Sequence, residues 1–111
     1  MNIISKLATV RTLLADGATG TYLQSRGLVA GGDPELMNIT HSKIVSSMAA
    51  DYFRAGSDLV QTNSFGGTFY VQNRYEHGDK VDEINYVAAK LARAGADDPK
   101  LNSKERYVFG S

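Results

Sequence analysis

Apolar residues occur along this chain in two patterns. Some come in short blocks that run straight into small and hydroxyl-bearing residues; others recur every third or fourth position. The second pattern marks helices. Ile44, Val45, Met48, Tyr52 and Ala55 share one helical face, with Thr40 placed to cap the start and Gly56 the end. Ile84, Val87, Ala88, Leu91 and Gly95 share another, on a helix expected to be capped by Asp79, to run to about Ala96 and to be stopped by Asp97-Asp98-Pro99. The short blocks read as strands at 11–14, 58–62 and 106–109, the second buried on both faces. Between them, 2–10 is a helical or irregular lead-in. A short helix at 21–26 closes at Gly27, and a helical piece at 68–75 breaks near Gly78. Gly31-Gly32-Asp33-Pro34 is a strong turn signal, expected at the surface.

Strands and helices alternate, with crossovers of a dozen residues or more, which requires parallel pairing and an α/β fold. Three parallel strands leave both outer edges unpaired. A (β/α)8 barrel of about 250 residues would take this chain as roughly its first three units. The expectation is therefore an incomplete TIM barrel, with 111 residues supplying a fragment of it.

That length allows one domain. Twelve basic side chains balance twelve acidic ones, so nothing favours nucleic acid or an anionic membrane as partner. No run approaches the roughly 20 apolar residues that span a bilayer, and residues 1–10 lack the apolar core of a secretory signal. The expected location is the cytoplasm. The absence of cysteine removes disulfides, a cysteine nucleophile and any thiolate zinc site from this chain.

Candidate chemistry lies where two strands end. In the first loop Asp16 can accept hydrogen bonds from a ligand ammonium. Gly17 and Gly20 let backbone N–H groups come close, and Thr19 and Thr21 add hydroxyls. A tight turn with Asp16 bonded to its own loop amides is the plainer alternative. The spacing fits neither the dinucleotide fingerprint nor a phosphate loop. In the second loop Thr62 and Asn63 end a strand and Gly66-Gly67 allows closure over a ligand, or else Asn63 ties neighbouring strand ends together. Spacing alone does not separate these. His41 and His77 are expected to be exposed structural residues, and Asp51, Asp79, Asp82 and Glu83 to be solvated faces or caps.

Several segments taken in order resemble the start of a homocysteine S-methyltransferase domain. They are Asp16-Gly17-Ala18-Thr19-Gly20-Thr21, Gly32-Asp33-Pro34-Glu35-Leu36-Met37-Asn38-Ile39-Thr40-His41, and the stretch from Asp51 to Asp58. The likeness continues through Gln61-Thr62-Asn63-Ser64-Phe65-Gly66-Gly67-Thr68, the run from Glu83 to Ala92, and Tyr107-Val108-Phe109-Gly110-Ser111. The resemblance implies a (β/α)8 barrel in which zinc, held by three cysteines on later strands, activates a homocysteine thiol for methyl transfer. It implies that residues 1–111 are the amino-terminal part of that barrel. Asp16, Gly17 and Ala18 would hold the amino-acid end of homocysteine, with Thr62 and Asn63 lining the same pocket. No catalytic residue and no metal ligand is expected within this chain, so it is expected to be inactive alone. A corrinoid protein or domain is the implied methyl-carrying partner. Two other readings stand beside this one: a corrinoid-dependent methyltransferase component with a different thiol or methylated substrate, and a non-catalytic chain that associates through open sheet edges.

Overall fold

Two amphipathic helices organise the molecule, as the periodicity predicts. A computed structural model of the chain describes residues 2–10, 12–102 and 104–111. In order, the elements are α1 (Ile3–Thr9), α2 (Gly20–Ser25), α3 (Met37–Thr40), α4 (Ser42–Ala55), β1 (Leu59–Gln61), α5 (Phe69–Arg74), a 3-10 turn at Gly78–Lys80, α6 (Val81–Ala96) and β2 (Tyr107–Phe109). Helix α4 buries Val45, Met48, Ala49, Ala50 and Phe53, and α6 buries Ile84, Ala88, Ala92, Gly95 and Ala96. The small residues let the two helices pack closely: a Cβ added at Gly95 would lie 2.6 Å from the Ala49 Cβ and 2.8 Å from the Ser46 carbonyl oxygen. At the end of α4, Gly56 takes φ +120° and donates its N–H to the last turn, a conformation that favours glycine.

The sheet consists of two short parallel strands. Leu59 faces Tyr107, Val60 faces Val108 and Gln61 faces Phe109. Val60 is buried with Ala49, Phe53, Ala92 and Ala96 in one apolar cluster, against which Leu101 and Val108 pack. Its neighbour Gln61 is exposed, so burial on both faces is confined to the middle of β1. A second cluster joins Leu23 of α2, Met37 of α3, and Val45 and Met48 of α4, and Tyr52 packs against both clusters.

Four local expectations are corrected. The first predicted strand is absent from its described residues, 12–14, and Arg11 lies outside them. Leu14 alone is attached: its carbonyl accepts the N–H groups of Asp58 (2.8 Å) and Leu59 (3.2 Å), while its own N–H donates to Asp58 Oδ2 at 2.8 Å. One anchoring point does not make a ladder, and the Leu14 side chain is 58% exposed. Thr40 is the last residue of α3 and donates to the Leu36 carbonyl instead of capping α4. Asp79 lies in the 3-10 turn, and α6 starts without a side-chain cap. The turn at 31–34 leads inward, not outward: Asp33, Glu35, Met37 and Asn38 are all buried. By contrast, α5 is capped by Thr68, whose hydroxyl accepts the Val71 N–H.

Candidate functional site

The first loop is held against α4 and β1. The Asp16 carboxylate accepts the Gln61 backbone N–H at 3.3 Å, and burial pushes its pKa above the usual carboxylate value against the pull of that bond. Gly17 lies flat on Tyr52, since a Cβ there would come within 2.8 Å of the ring Cε1. The Tyr52 hydroxyl donates to the Ala18 carbonyl. Ser57 Oγ donates to the Ala15 carbonyl at 3.2 Å. The loop backbone is thus fixed by Tyr52 of α4 and by Ser57 just before β1.

The second loop continues β1 beyond its ladder. The Thr62 N–H donates to the Phe109 carbonyl at 2.9 Å, and the Thr62 and Ser64 hydroxyls are 2.5 Å apart. The Asn63 amide nitrogen donates to the Pro34 carbonyl (3.0 Å) and to Asn38 Oδ1 (2.9 Å), and Asn38 returns a bond to the Asn63 carbonyl at 2.9 Å. Asn63 therefore clasps the strand end to the 33–40 segment, the tying role foreseen for it, although its partner is that segment and not a neighbouring strand. Asn63 borders the opening described next.

A cleft of about 430 Å³ opens at the carboxyl ends of the strands, and the two loops meet there: Thr19 and Gly20 on one side, Thr62, Asn63 and Ser64 on the other. Of the expected site residues, Thr62 and Asn63 line this cleft. Asp16 borders a separate void of about 10 Å³, next to Val60, Gln61 and Asn63. Gly17 and Ala18 form the turn behind Thr19.

The cleft also contains residues that the sequence did not single out as site residues. Glu35, only 6% exposed, lines it together with Gly66, Arg74 and Tyr75. Burial, reinforced by the charge of Asp33, pushes the Glu35 carboxyl up to about 7, even though it accepts the Gly66 N–H. Asp33 is itself committed: it pairs with His77 Nδ1 at 2.9 Å and accepts from Gln72 Nε2 at 3.1 Å. Gln72, fully buried, also donates to the Gly66 carbonyl at 2.9 Å. His77 is accordingly a half-buried partner of a buried acid, not the exposed residue expected, whereas His41 is exposed as expected. The pairs that build this wall lie 39 and 44 positions apart in the chain, a separation that local pattern does not reveal. The one local sign is Gly66-Gly67, which leaves the loop without side chains where Glu35 packs.

Chemically, the cleft offers a carboxyl group, a guanidinium, hydroxyls and backbone groups, which suits a small polar ligand. It offers no soft donor, because the sequence has no cysteine. Among the described residues no three of His, Asp and Glu come together to hold a metal, and no helix is long and apolar enough to cross a membrane.

Residues 13–111 match the sequence model of the homocysteine S-methyltransferase family. The chain is 32% identical over 107 residues to methionine synthase of Mycobacterium tuberculosis, covering 91% of this chain. It is 34% identical over 107 residues to that of Mycobacterium leprae, again covering 91% of this chain. The chain spans 9% of the length of these relatives. Its fold matches the crystal structure of the homocysteine methyltransferase MmuM from Escherichia coli, metallated form. The TM-score is 0.78 at 23% identity, over 96% of this chain and 39% of that one.

Proposed function

This chain belongs to the homocysteine S-methyltransferase family, and from that premise we propose that residues 1–111 form the amino-terminal part of a homocysteine-binding (β/α)8 barrel and hold substrate for methyl transfer to its thiol. The observation that carries this reading is the convergence of the Thr19-Gly20 and Thr62-Asn63-Ser64 loops on one cleft at the strand ends. In parallel α/β folds, ligand sites are built there.

In the proposed arrangement Asp16, Gly17 and Ala18 hold the amino-acid end of homocysteine, and Thr62 and Asn63 line the pocket beside it. Two observations support this reading: Asp16 accepts the Gln61 N–H, and Gly17 and Ala18 are held by Tyr52. The chemistry at sulfur needs a thiolate, because a free thiol is mostly protonated at neutral pH. The zinc that would stabilise it in the family does not fit this chain, which brings neither cysteine nor a three-residue cluster of other donors among its described residues. Substrate positioning is therefore the proposed contribution of these residues. On the donor side, a corrinoid protein or domain is the proposed partner.

Titration of homocysteine into the isotope-labelled chain, followed by amide NMR, tests the reading. The largest shifts are expected at Thr19, Gly20, Thr62, Asn63 and Ser64. Asp16→Asn should weaken binding by about tenfold, the loss expected for one charge-assisted hydrogen bond. Shifts confined to other faces, or no binding, would overturn the proposal.

A further inference from the structure

Gly66 in the second loop is gripped through both of its backbone groups. Glu35 accepts its N–H, and Gln72 Nε2 donates to its carbonyl at 2.9 Å. Gly66 lies inside the tight turn that the Gly67 N–H closes onto the Ser64 carbonyl at 2.9 Å, so its position sets that of Ser64 and Phe65 on the cleft wall. Gln72 is fully buried, and its amide oxygen has no hydrogen-bond partner among the described residues, so its donor bonds fix it. One goes to Gly66 and the other to Asp33 Oδ1 at 3.1 Å. Asp33 Oδ2 in turn faces His77 Nδ1 at 2.9 Å. These contacts form a line from His77 through Asp33 and Gln72 to the cleft loop. The Asp33 side chain is 3% exposed, whereas that of His77 is 27% exposed. His77 and Asp33 border a separate opening of about 340 Å³ beside Leu28, Leu36 and Met37, so the outer end of the line lies at an opening other than the cleft.

We propose that His77 is a positioning residue for the substrate cleft: through Asp33 and Gln72 it holds Gly66, and with it the Ser64–Phe65 wall, in place. What the wall is held for rests on the reading of the cleft as a homocysteine pocket; the relay itself does not. His77 does not line the cleft. A buried carboxylate is costly unless it is hydrogen-bonded and paired. Among the described residues His77 is the one side chain that forms an ion pair with Asp33, and the nearby Glu35 forms none. Without the imidazole, Asp33 is left as an unpaired buried charge or as a neutral acid, and either state weakens its hold on Gln72. A neutral ring can still donate Nδ1–H, but only the charged ring also balances the carboxylate. Protonation of His77 therefore tightens the relay, and deprotonation loosens it. The titratable groups around His77 are Asp33 and Glu35 on the inward segment and His41 across the second opening. Tyr75 stacks on it at 6.4 Å, and Arg74, Glu76, Asp79 and Lys80 lie close to it in the chain.

Two substitutions separate this role from general stability. His77→Leu removes donor and charge together, whereas His77→Asn keeps an amide N–H near the place of Nδ1 without the charge. In His77→Leu the Gly66 and Gly67 amides should exchange about tenfold faster or more, as for loss of one charge-assisted hydrogen bond, while Ala88 and Ala92 in α6 keep their rates. His77→Asn should restore most of that protection, and homocysteine affinity should follow the same order. With pH, the Gly66 and Gly67 amide shifts of the unaltered chain should show a step that tracks the His77 ring protons. His77→Asn should lose this step. Glu35→Gln should keep it, although it removes the titration of that acid at about 7. Unchanged exchange at Gly66 in His77→Leu, a loss shared equally by α4 and α6, or a pH step that survives in His77→Asn would overturn the proposal. Should His77→Leu fail to fold, the pH step in His77→Asn decides alone. Local loss at Gly66 without homocysteine binding by the unaltered chain would uphold the relay and overturn the homocysteine pocket instead.

Discussion

Glu35 shows how a single side chain couples the cleft to stability. An unfolded glutamate titrates near 4.5, and burial pushes the folded group up to about 7. Below the lower value both states are protonated and the full stabilising contribution is present. As pH rises towards 7 the unfolded state releases its proton and the folded state retains it, so stability falls across that window and levels off above it. The raised pKa corresponds to a loss on the order of 3 kcal/mol. Glu35→Gln should remove most of this slope, making the variant the more stable protein at pH 8 while the two differ less at pH 4. Denaturant melts at a series of pH values read this directly, and an unchanged slope in the variant would refute it. None of this was visible locally. A Gly-Asp-Pro-Glu sequence reads as an exposed turn, and only its packing against Gly66, Gln72 and His77 turns it into a wall of the cleft.

At the scale of elements, the α4–α6 contact sets how closely the helical layer can approach β1. Ala49 and Gly95 meet where a side chain at Gly95 has nowhere to go. Gly95→Ala would gain about 1 kcal/mol in helix propensity. It would also drive a Cβ into the α4 backbone, a clash of the kind that costs about 1–3 kcal/mol. The second effect should win, because the obstructing Ser46 oxygen and Ala50 nitrogen are backbone atoms and cannot rotate away. Calorimetry should show a lowered Tm, and a raised one would mean that the helices separate easily. Helices α4 and α6 were legible in the sequence because a 3.6-residue period is a local property, and so was the stop at Ala96. The 12–14 segment was not. Leu13 and Leu14 look like a strand, but a strand exists only where neighbours complete its ladder, and here Asp58 and Leu59 offer one anchoring point. The candidate site divides the same way: Thr62 and Asn63 could be placed from the end of an apolar run, whereas Asn38, Gln72 and Glu35 are brought there by contacts between distant parts of the chain.

Taken whole, the molecule has more scaffold than chemistry. Its radius of gyration is 14.4 Å, above the roughly 13 Å of a compact domain this long. Helix α1 contributes no buried residue, and the apolar surface includes Phe65, Phe69 and Tyr70 near the second loop. The polar groups that line the cleft suit binding and orientation, and none of them lowers the pKa of a thiol as a soft metal site or an adjacent strong base would. The purified 111-residue chain, given homocysteine and a methylated corrinoid, should therefore produce no methionine above the protein-free rate, while homocysteine still shifts the amides of Thr62 and Asn63. The two readouts separate holding the substrate from activating it. Methionine formed above background, at a rate that follows the chain through purification and falls in Asp16→Asn, would show that these loops activate the thiol as well as position it. Binding without turnover would place sulfur activation outside the residues of this chain.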